Sequence, residues 1–537
     1  MVAPVIGIDL GTSNTCAAVV IDGEVRTIPD ERGRVVIPSV VTQNKFGRFI
    51  VGHFAKAQQI TNPYETIYSV KRLIGQQFDS EELERVRRYL SYTIEKDERT
   101  GGVLIPLGDA KFTPTEISAQ ILMKVKETAR TFLGEEPGRA VITVPAHFND
   151  IQRKETKLAG EMAGFEVIRL INEPTASALA FGFGHDLSTR VAVFDFGGGT
   201  FDISVMNIEK NIFEVISTGG DSYLGGDDFN WAIVDHLAAQ FLISDNINLK
   251  MDKMAMQRLL DAAETAKVEL SDQSEVLVDL PRIAPNIDVG AHLQVTLRRS
   301  QLEAMSQEFI QRALDICSAT FEVAGITPQD VDQILMVGGQ TRMPAILAAA
   351  QSFFQKPCNT RINPEEAVAI GAAIQGHTLV EEHVGTLLLD VTPLTLGIGT
   401  FRDIFVPLIT RNTKVPHKMT KIFTTTHDQQ ERVKIRVYQG ESRRAPSNQL
   451  LGEFILEPIR KAPRMEPNIE VTFKLDANGI LSVSAKDVDT GEETGITIED
   501  YPELAKKMAE DYLPAGEAWA DLTETQPLGK SPSLPDR

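Results

Sequence analysis

The chain has 537 residues, a formal net charge of −20 and a pI near 5.0. It is too long for one hydrophobic core, so two to four domains are expected. The acidic balance argues against nonspecific nucleic-acid binding and against an anionic membrane surface as a partner. Three cysteines, Cys16, Cys317 and Cys358, are widely spaced and odd in number. They suit neither a disulfide framework nor a zinc pattern, and they fit a reducing compartment. The first strand begins within a few residues of Met1, with no basic and apolar leader before it, so no signal peptide is expected. No uninterrupted apolar run approaches membrane-spanning length. A soluble, cytoplasmic protein is the expectation.

The first element is an apolar strand, Asp9, then Gly11, Thr12, Ser13 and Asn14 as a small polar turn, then a second apolar strand. Cys16 in that second strand reads as a small buried side chain or, alternatively, as a redox-sensitive thiol. Short strands continue to about residue 51. In the run VKRLIG (70–75), Lys71 can offset charge on a transferring phosphoryl group, although a Lys-Arg pair also fits a solvated face. Residues 79–110 read as a charged surface subdomain. Thr113-Pro114-Thr115-Glu116 starts a helix predicted to reach residue 133. A buried strand over 140–145 is stopped by Pro145. A helix over 151–163 and a strand over 167–171 follow. Residues 172–182, NEPTASALAFG, form a helix of small residues.

Apolar residues with strand propensity flank the run DFGGGTFD at 195–202, which predicts a β-hairpin. Gly197, Gly198 and Gly199 remove the Cβ barrier, so successive N–H groups can point at one anion. Thr200 adds a hydroxyl. Asp195 and Asp202 would repel a bare phosphate, which implies a Mg²⁺ bound mostly through water. An isolated triple glycine can also be a plain structural bulge. Here the pattern occurs twice, because Asp9 aligns with Asp195 and Gly11 with Gly197. Two such hairpins would face each other across a cleft and hold one nucleotide. A second small-residue helix, 365–373, aligns with 172–182 at nearly the same offset. The duplication therefore covers whole lobes, and the two helices either cross at a hinge or are ordinary core helices.

Residues 227–280 read as mainly helical. Glu264, Lys267 and Ser271 share one helical face, either solvated or facing a ligand. A helix is predicted over 301–324. A strand over 331–337 runs into Gly338, Gly339 and Arg342, where the glycines permit close approach of an adenosine and the arginine can stack on a base. The run Leu387, Leu388, Leu389, Asp390 is compact and apolar, as a docking linker or a buried edge strand. From residue 391 the period becomes two, with strands at 421–426, 433–438, 452–456, 469–475 and 480–485 and a hairpin turn at 476–479. This predicts an all-β domain. Residues 501–537 contain five prolines and few core-forming runs, and disorder is expected beyond about residue 523.

Taken together, the motifs GIDLGTSNT (7–15), VKRLIG (70–75), VITVPAHFNDIQR (141–153), INEPTASALAFG (171–182), VFDFGGGTFDIS (193–204), VGGQTR (337–342), NPEEAVAIGAA (363–373) and LLLDVTPLTLGI (387–398) resemble the DnaK-type heat-shock chaperone family over roughly residues 4–498. The resemblance implies an α/β actin-like ATPase domain with duplicated, ribonuclease H-like lobes (1–380). A linker (381–392), an all-β sandwich peptide-binding domain (393–500) and a short tail without a full helical lid (501–537) would follow. It implies ATP/ADP, Mg²⁺ and K⁺ as cofactors. Asp9 and Asp195 would lie at the cation sites, Thr12, Ser13 and Asn14 in one phosphate loop, and 197–200 in the other. Lys71, Glu173, Asp195, Thr200 and Asp202 would be catalytic, and Glu264, Lys267, Ser271, Gly338, Gly339 and Arg342 would surround the adenosine.

The resemblance further implies a nucleotide-sensing relay at Pro145 and Arg153, and engagement of a J-domain co-chaperone at Arg169, Asn172 and Asp390. A nucleotide exchange factor is implied as a second partner. Extended apolar segments of unfolded proteins would be held by Ile398, Thr400, Phe401, Thr426, Val433 and Ile435, of which Val433 and Ile435 also suit a sandwich core. Three features depart from the family pattern. The lid is short, which predicts faster peptide exchange; Arg402-Asp403 stands where a glycine pair is usual; and Phe401 and Thr426 form the arch. His147 replaces a frequent tyrosine. A specialised regulator without refolding activity, a small-molecule kinase and an actin-like filament protein are the rival readings. The β-domain and linker argue against the last two.

Overall fold

A computed structural model describes residues 4–285, 287, 290–381 and 386–497. Residues 1–498 group into one compact unit, and the tail expected to be largely disordered lies outside the described residues.

The predicted duplication is present as strand topology. The antiparallel pair Val5–Leu10 and Asn14–Ile21 has Arg139–Val144 parallel to its first strand, and the sheet continues to Glu166–Asn172. Ser188–Phe196 and Phe201–Glu209 repeat this arrangement, with Gln333–Val337 parallel to the first of them. In each copy the hairpin is central in its sheet and mostly buried. The second copy packs Phe194, Phe196, Phe201 and Phe229 into one core with the helices behind it.

The two small-residue helices, Glu173–Gly182 and Ala367–Val380, do cross in contact. A Cβ on Gly371 would lie 1.7 Å from the Ala176 carbonyl oxygen, and one on Gly7 would lie 2.0 Å from the Ala373 nitrogen. The helix Ala367–Val380 thus packs backbone to backbone against both its counterpart helix and the first strand. Glycine and alanine are required there because any larger side chain would separate the lobes.

Helix Pro114–Leu133 starts where predicted, and the structure adds a capping box between Thr113 and Glu116. Two expectations need correction. The helical stretch predicted to run to residue 280 ends at Asp272, and Glu275–Pro281 is a strand paired with His292–Arg298. The alternation of Val276, Val278 and Leu280 carried that signal. Residues 79–110 are also more than a surface, since Leu83, Val86, Tyr92, Ile105 and Leu107 are buried among a helix and short strands.

After the strand Leu387–Leu389, two four-stranded antiparallel sheets pack face to face. One joins Ile404–Ile409, Leu396–Thr400, Val433–Gln439 and Gln449–Leu456; the other joins His417–Phe423, Ile469–Leu475, Leu481–Asp487 and Glu493–Thr497. Ile398, Ile435, Val437, Val471, Phe473 and Val483 share the core between them. Among the described residues no helix is long and apolar enough to cross a membrane.

Gly371→Ala is expected to cost about 3 kcal/mol or more, because backbone rather than a movable side chain blocks the new methyl group. Chemical denaturation measures it, and an unchanged midpoint would show that the helices can separate freely.

Candidate functional site

Register sets the site. Asp195 lies directly opposite Asp202, one residue pair from the turn of the second hairpin, and Asp9 lies opposite Cys16 at the matching place in the first. The turns of the two hairpins meet: a Cβ on Gly198 would fall 2.2 Å from Ser13 Oγ, and one on Gly199 would fall 2.4 Å from Thr12 Oγ1. The facing phosphate loops expected from the repeat are therefore adjacent. Gly11 is needed for its own turn, since a Cβ there would lie 2.0 Å from the Asn14 carbonyl oxygen. Helix Gly226–Asp245 starts against the second turn, its Gly226 and Asp227 N–H groups donating to the Gly197 and Gly198 carbonyls at 2.9 and 2.8 Å.

Lys71 and Glu173 form a buried ion pair, Nζ to Oε1 2.5 Å. Glu173 opens its small-residue helix, so the crossing of the lobes fixes its position. Burial, and then the charge of Glu173, pushes Asp9 up to about 7. The same two causes hold Asp195 and Asp202 well above the usual carboxylate range. Asp202 accepts the His147 N–H at 3.1 Å, and Asp9 accepts the Thr143 hydroxyl at 3.3 Å. Four carboxylates thus share one buried lysine, an oxygen-rich set of the kind that suits hard cations such as Mg²⁺ or K⁺. No group of three or more His, Cys, Asp or Glu positioned to hold a metal is found among the described residues, so such a cation would depend on water and ligand oxygens. Cys16 is buried, and its thiol is pushed up by that burial and by Asp9, which favours the small-side-chain reading.

On helix Lys253–Asp272, Lys267 donates to the Gly226 carbonyl at 2.9 Å, and Glu264 pairs with Lys56 at 3.0 Å. The Ser271 hydroxyl bonds back to the Lys267 carbonyl. Gly226 brings Lys267 and Gln340 together, since a Cβ on it would meet both side chains within 3 Å. Gly338 has φ 78°, and a Cβ there would lie 2.7 Å from Asp195 Oδ1. Gly338 therefore lies against the second hairpin. Arg342 is exposed, bonded to Asn363 and 3.6 Å from Glu365.

The predicted relay residues converge on one buried cluster. Arg153 donates to the Ala146 carbonyl, the Phe148 carbonyl and Asn172 Oδ1, the last at 2.7 Å. Asn172 Nδ2 donates to Asp390 Oδ2 at 2.9 Å, and the Thr175 hydroxyl to the same oxygen at 3.2 Å. Pro145 ends the strand feeding this cluster, and its carbonyl accepts the Phe148 N–H. The apolar run is an edge strand docked on the second lobe's sheet, but it is not buried as expected, with Leu387 exposed and Leu388 and Leu389 half-buried. Leu387, Leu388 and Leu389 pair in parallel with Ile212, Phe213 and Glu214.

The sandwich lies against the same surface. Asp150 Oδ1 accepts the Leu481 N–H at 2.8 Å, and the Asp150 N–H donates to Gln439 Oε1 at 3.0 Å. Arg169 donates to the Ala477 carbonyl, and Asn478 Oδ1 accepts the Leu170 N–H, each at 3.0 Å.

A model of the Hsp70 protein family matches residues 5–524. The chain belongs to the Hsp70 family. Its two parts are accordingly an actin-like ATPase domain and a β-sandwich, and its function is of the nucleotide-dependent chaperone type. Hsp70 proteins in general are ATPases that use Mg²⁺ and bind unfolded peptides and co-chaperones.

In this Hsp70, Ile398 and Ile435 are in the sandwich core and Val433 packs against it. Thr426 and Phe401 are exposed, and Thr400 is half-buried with its hydroxyl on the Ile404 carbonyl. Sequence reasoning missed Arg72. It is buried, not solvated, and joins the Gly199 carbonyl at 2.9 Å to Asp228 at 2.6 Å. It also missed Asp150, Asn412 and Lys414, which contact partners nearly two hundred residues away or more in sequence. No local pattern marks such contacts.

The pKa of Asp9 in the folded protein lies above its unfolded value. The native state therefore binds more protons between about pH 4 and pH 7, and stability falls as pH rises through that window. Asp9→Asn is expected to stabilise the nucleotide-free protein by about 2 kcal/mol at about pH 8 and by much less at about pH 5. Thermal melts at both pH values check this; a gain independent of pH would mean that Asp9 is not the titrating group.

Proposed function

We propose that this chain is an ATP-hydrolysing molecular chaperone that binds and releases extended apolar segments of unfolded proteins, with hydrolysis switching peptide affinity through the linker. One observation carries the reading. Glu173 and Asn172 are adjacent in the chain, yet Glu173 pairs with Lys71 in the carboxylate cluster while Asn172 holds Asp390 of the linker. A change in charge at the cluster therefore has one peptide unit to cross before it reaches the linker.

The phosphates of ATP would lie against the two touching turns, with Thr12, Ser13, Asn14 and 197–200 around them. Glu264, Lys267, Ser271, Gly338, Gly339 and Arg342 would surround the adenosine. Asp9 and Asp195 would hold Mg²⁺, and K⁺ beside it, mostly through water. When bound, these cations supply charge that offsets the phosphates. Lys71 is suited to take up charge developing on the γ-phosphoryl group. Glu173 and Asp202 would orient the attacking water, a carboxylate of the pair would take its proton, and the Thr200 hydroxyl would lie near the γ-phosphate. The elevated pKa values of the cation-free carboxylates fit a site completed by cations.

The docked edge strand and sandwich contacts support an ATP-favoured arrangement, with ADP favouring separation and tighter peptide binding. Nucleotide moves that equilibrium only by its differential affinity for the two arrangements. Division near residues 380 and 393 agrees with the change from lobe to linker strand to sandwich. A J-domain co-chaperone acting at Arg169, Asn172 and Asp390 would compete with the contacts these residues make here, which suits a trigger. An exchange factor and a cytoplasmic location complete the proposal.

Single-turnover ATP hydrolysis with and without an apolar peptide and a J-domain protein tests it. Acceleration by both is expected; tight ATP binding with no response to either would favour the specialised-regulator reading. Lys71→Ala is expected to keep ATP binding and lose hydrolysis by about a hundredfold or more, and unchanged turnover would remove Lys71 from the mechanism. Asp390→Ala should abolish peptide stimulation, read in the same assay; full stimulation would break the proposed link through Asn172.

A further inference from the structure

We infer that the exposed arch of the sandwich selects apolar peptide segments flanked by acidic side chains. The inference rests on the peptide-binding reading above and names the class of segment that site prefers. It starts from charge. The whole chain carries −20, yet residues 393–497 hold 15 Lys and Arg against 13 Asp and Glu. The ion pairs of the sandwich use Lys414, Lys434, Arg436, Arg460 and Lys461. Arg402, Arg443 and Arg444 are exposed and make no ion pair among the described residues.

The backbone brings these three arginines beside two exposed apolar side chains. Phe401 is 61% exposed and Ile404 53%. The Arg402 guanidinium stands 5.3 Å from the centre of the Phe401 ring. Arg444 pairs with Ile404 as an isolated bridge, and the Phe405 N–H donates to the Arg443 carbonyl at 2.9 Å. Arg443 and Arg444 therefore run alongside the strand that leaves the arch. Asp403 leaves the group a clear positive excess. Glu441, the nearby carboxylate on the same loop as Arg443, is turned away to the Thr395 N–H and hydroxyl.

Arg402 and Asp403 sit at φ 61° and 60°, a left-handed conformation that glycine adopts without strain. Side chains held there against that strain mark a position where the side chain matters. Arginine also suits recognition of a carboxylate beside an aromatic ring. Its planar fork grips the carboxylate through two hydrogen bonds while its face covers the ring. An extended segment would set an apolar side chain on Phe401 and Ile404, and carboxylates before or after it would meet the guanidinium groups. The apolar contact would supply affinity, and the arginines would supply the choice among segments.

The test measures binding of short labelled peptides to the full chain with ADP by fluorescence anisotropy. Three peptides share one apolar centre and carry acidic, uncharged or lysine flanks. The acidic-flanked peptide is expected to bind about tenfold more tightly than the lysine-flanked one at low salt. High salt should narrow that gap in the unaltered protein, and Arg443→Gln with Arg444→Gln should close it. Equal binding, or a preference for lysine flanks, overturns the inference, as does a gap that survives the double substitution. Displacement of the acidic peptide by a single-stranded oligonucleotide would assign the arginines to a polyanion and also overturn it. If the uncharged peptide binds and ATP releases it while the flanks make no difference, this inference fails alone. If no peptide binds with either nucleotide, the chaperone reading fails with it.

Discussion

One buried lysine among four carboxylates is the constraint on which the molecule turns. Lys71 can neutralise only one of them, and it pairs with Glu173. Asp9, Asp195 and Asp202 are left desolvated and mutually repelling, and their raised pKa values express that cost. Such a cluster persists only where the surrounding structure over-determines it. Here both hairpins, their sheets and the two crossing helices fix it from all sides. A cation-bearing ligand relieves what the fold imposes, and this makes ligand binding and local stability two aspects of one balance.

The duplicated architecture makes that placement possible. Each lobe supplies one glycine turn and one acidic strand end, and the turns touch because Gly198 and Gly199 have no side chains to hold Ser13 and Thr12 away. The helices behind them cross with Gly371 against the Ala176 carbonyl, only three residues beyond Glu173. Close packing at the crossing and charge placement at the site are therefore mechanically continuous. Packed interfaces of this kind change arrangement in steps and do not deform smoothly.

From the cluster to the linker the distance is short. Asn172, Arg153 and Thr175 are buried and form a hydrogen-bonded group with the half-buried Asp390, where a lost partner is expensive. Asp150 extends it into the sandwich through Leu481 and Gln439. These contacts are mainly polar, with Ile151 adding an apolar one on the sandwich core. An interface of this kind can open without exposing a large apolar surface.

Local sequence determined the elements whose chemistry is local. The glycine turns, the helix start at Thr113, the alternation of the sandwich strands and the repeat linking Asp9 to Asp195 were all legible from residue type and spacing. The motifs also carried the family, since many colinear matches fixed their order along the chain. What the sequence could not decide were matters of proximity. Arg72 reads as a surface residue until Asp228 and the Gly199 carbonyl are brought to it. The hairpin at 275–298 lost to a run of helical signal before it. Val433 and Ile435 fit a ligand pocket or a core equally well by pattern, and only the packing of the two sheets put Ile435 inside and Val433 against the core. The burial of Asp150, the partners of Asn172 and the exposure of the arginines around Phe401 likewise belong to the tertiary structure. Periodicity encodes which face of an element is apolar, but desolvation and Coulomb interaction depend on distances that are set only when distant segments pack together.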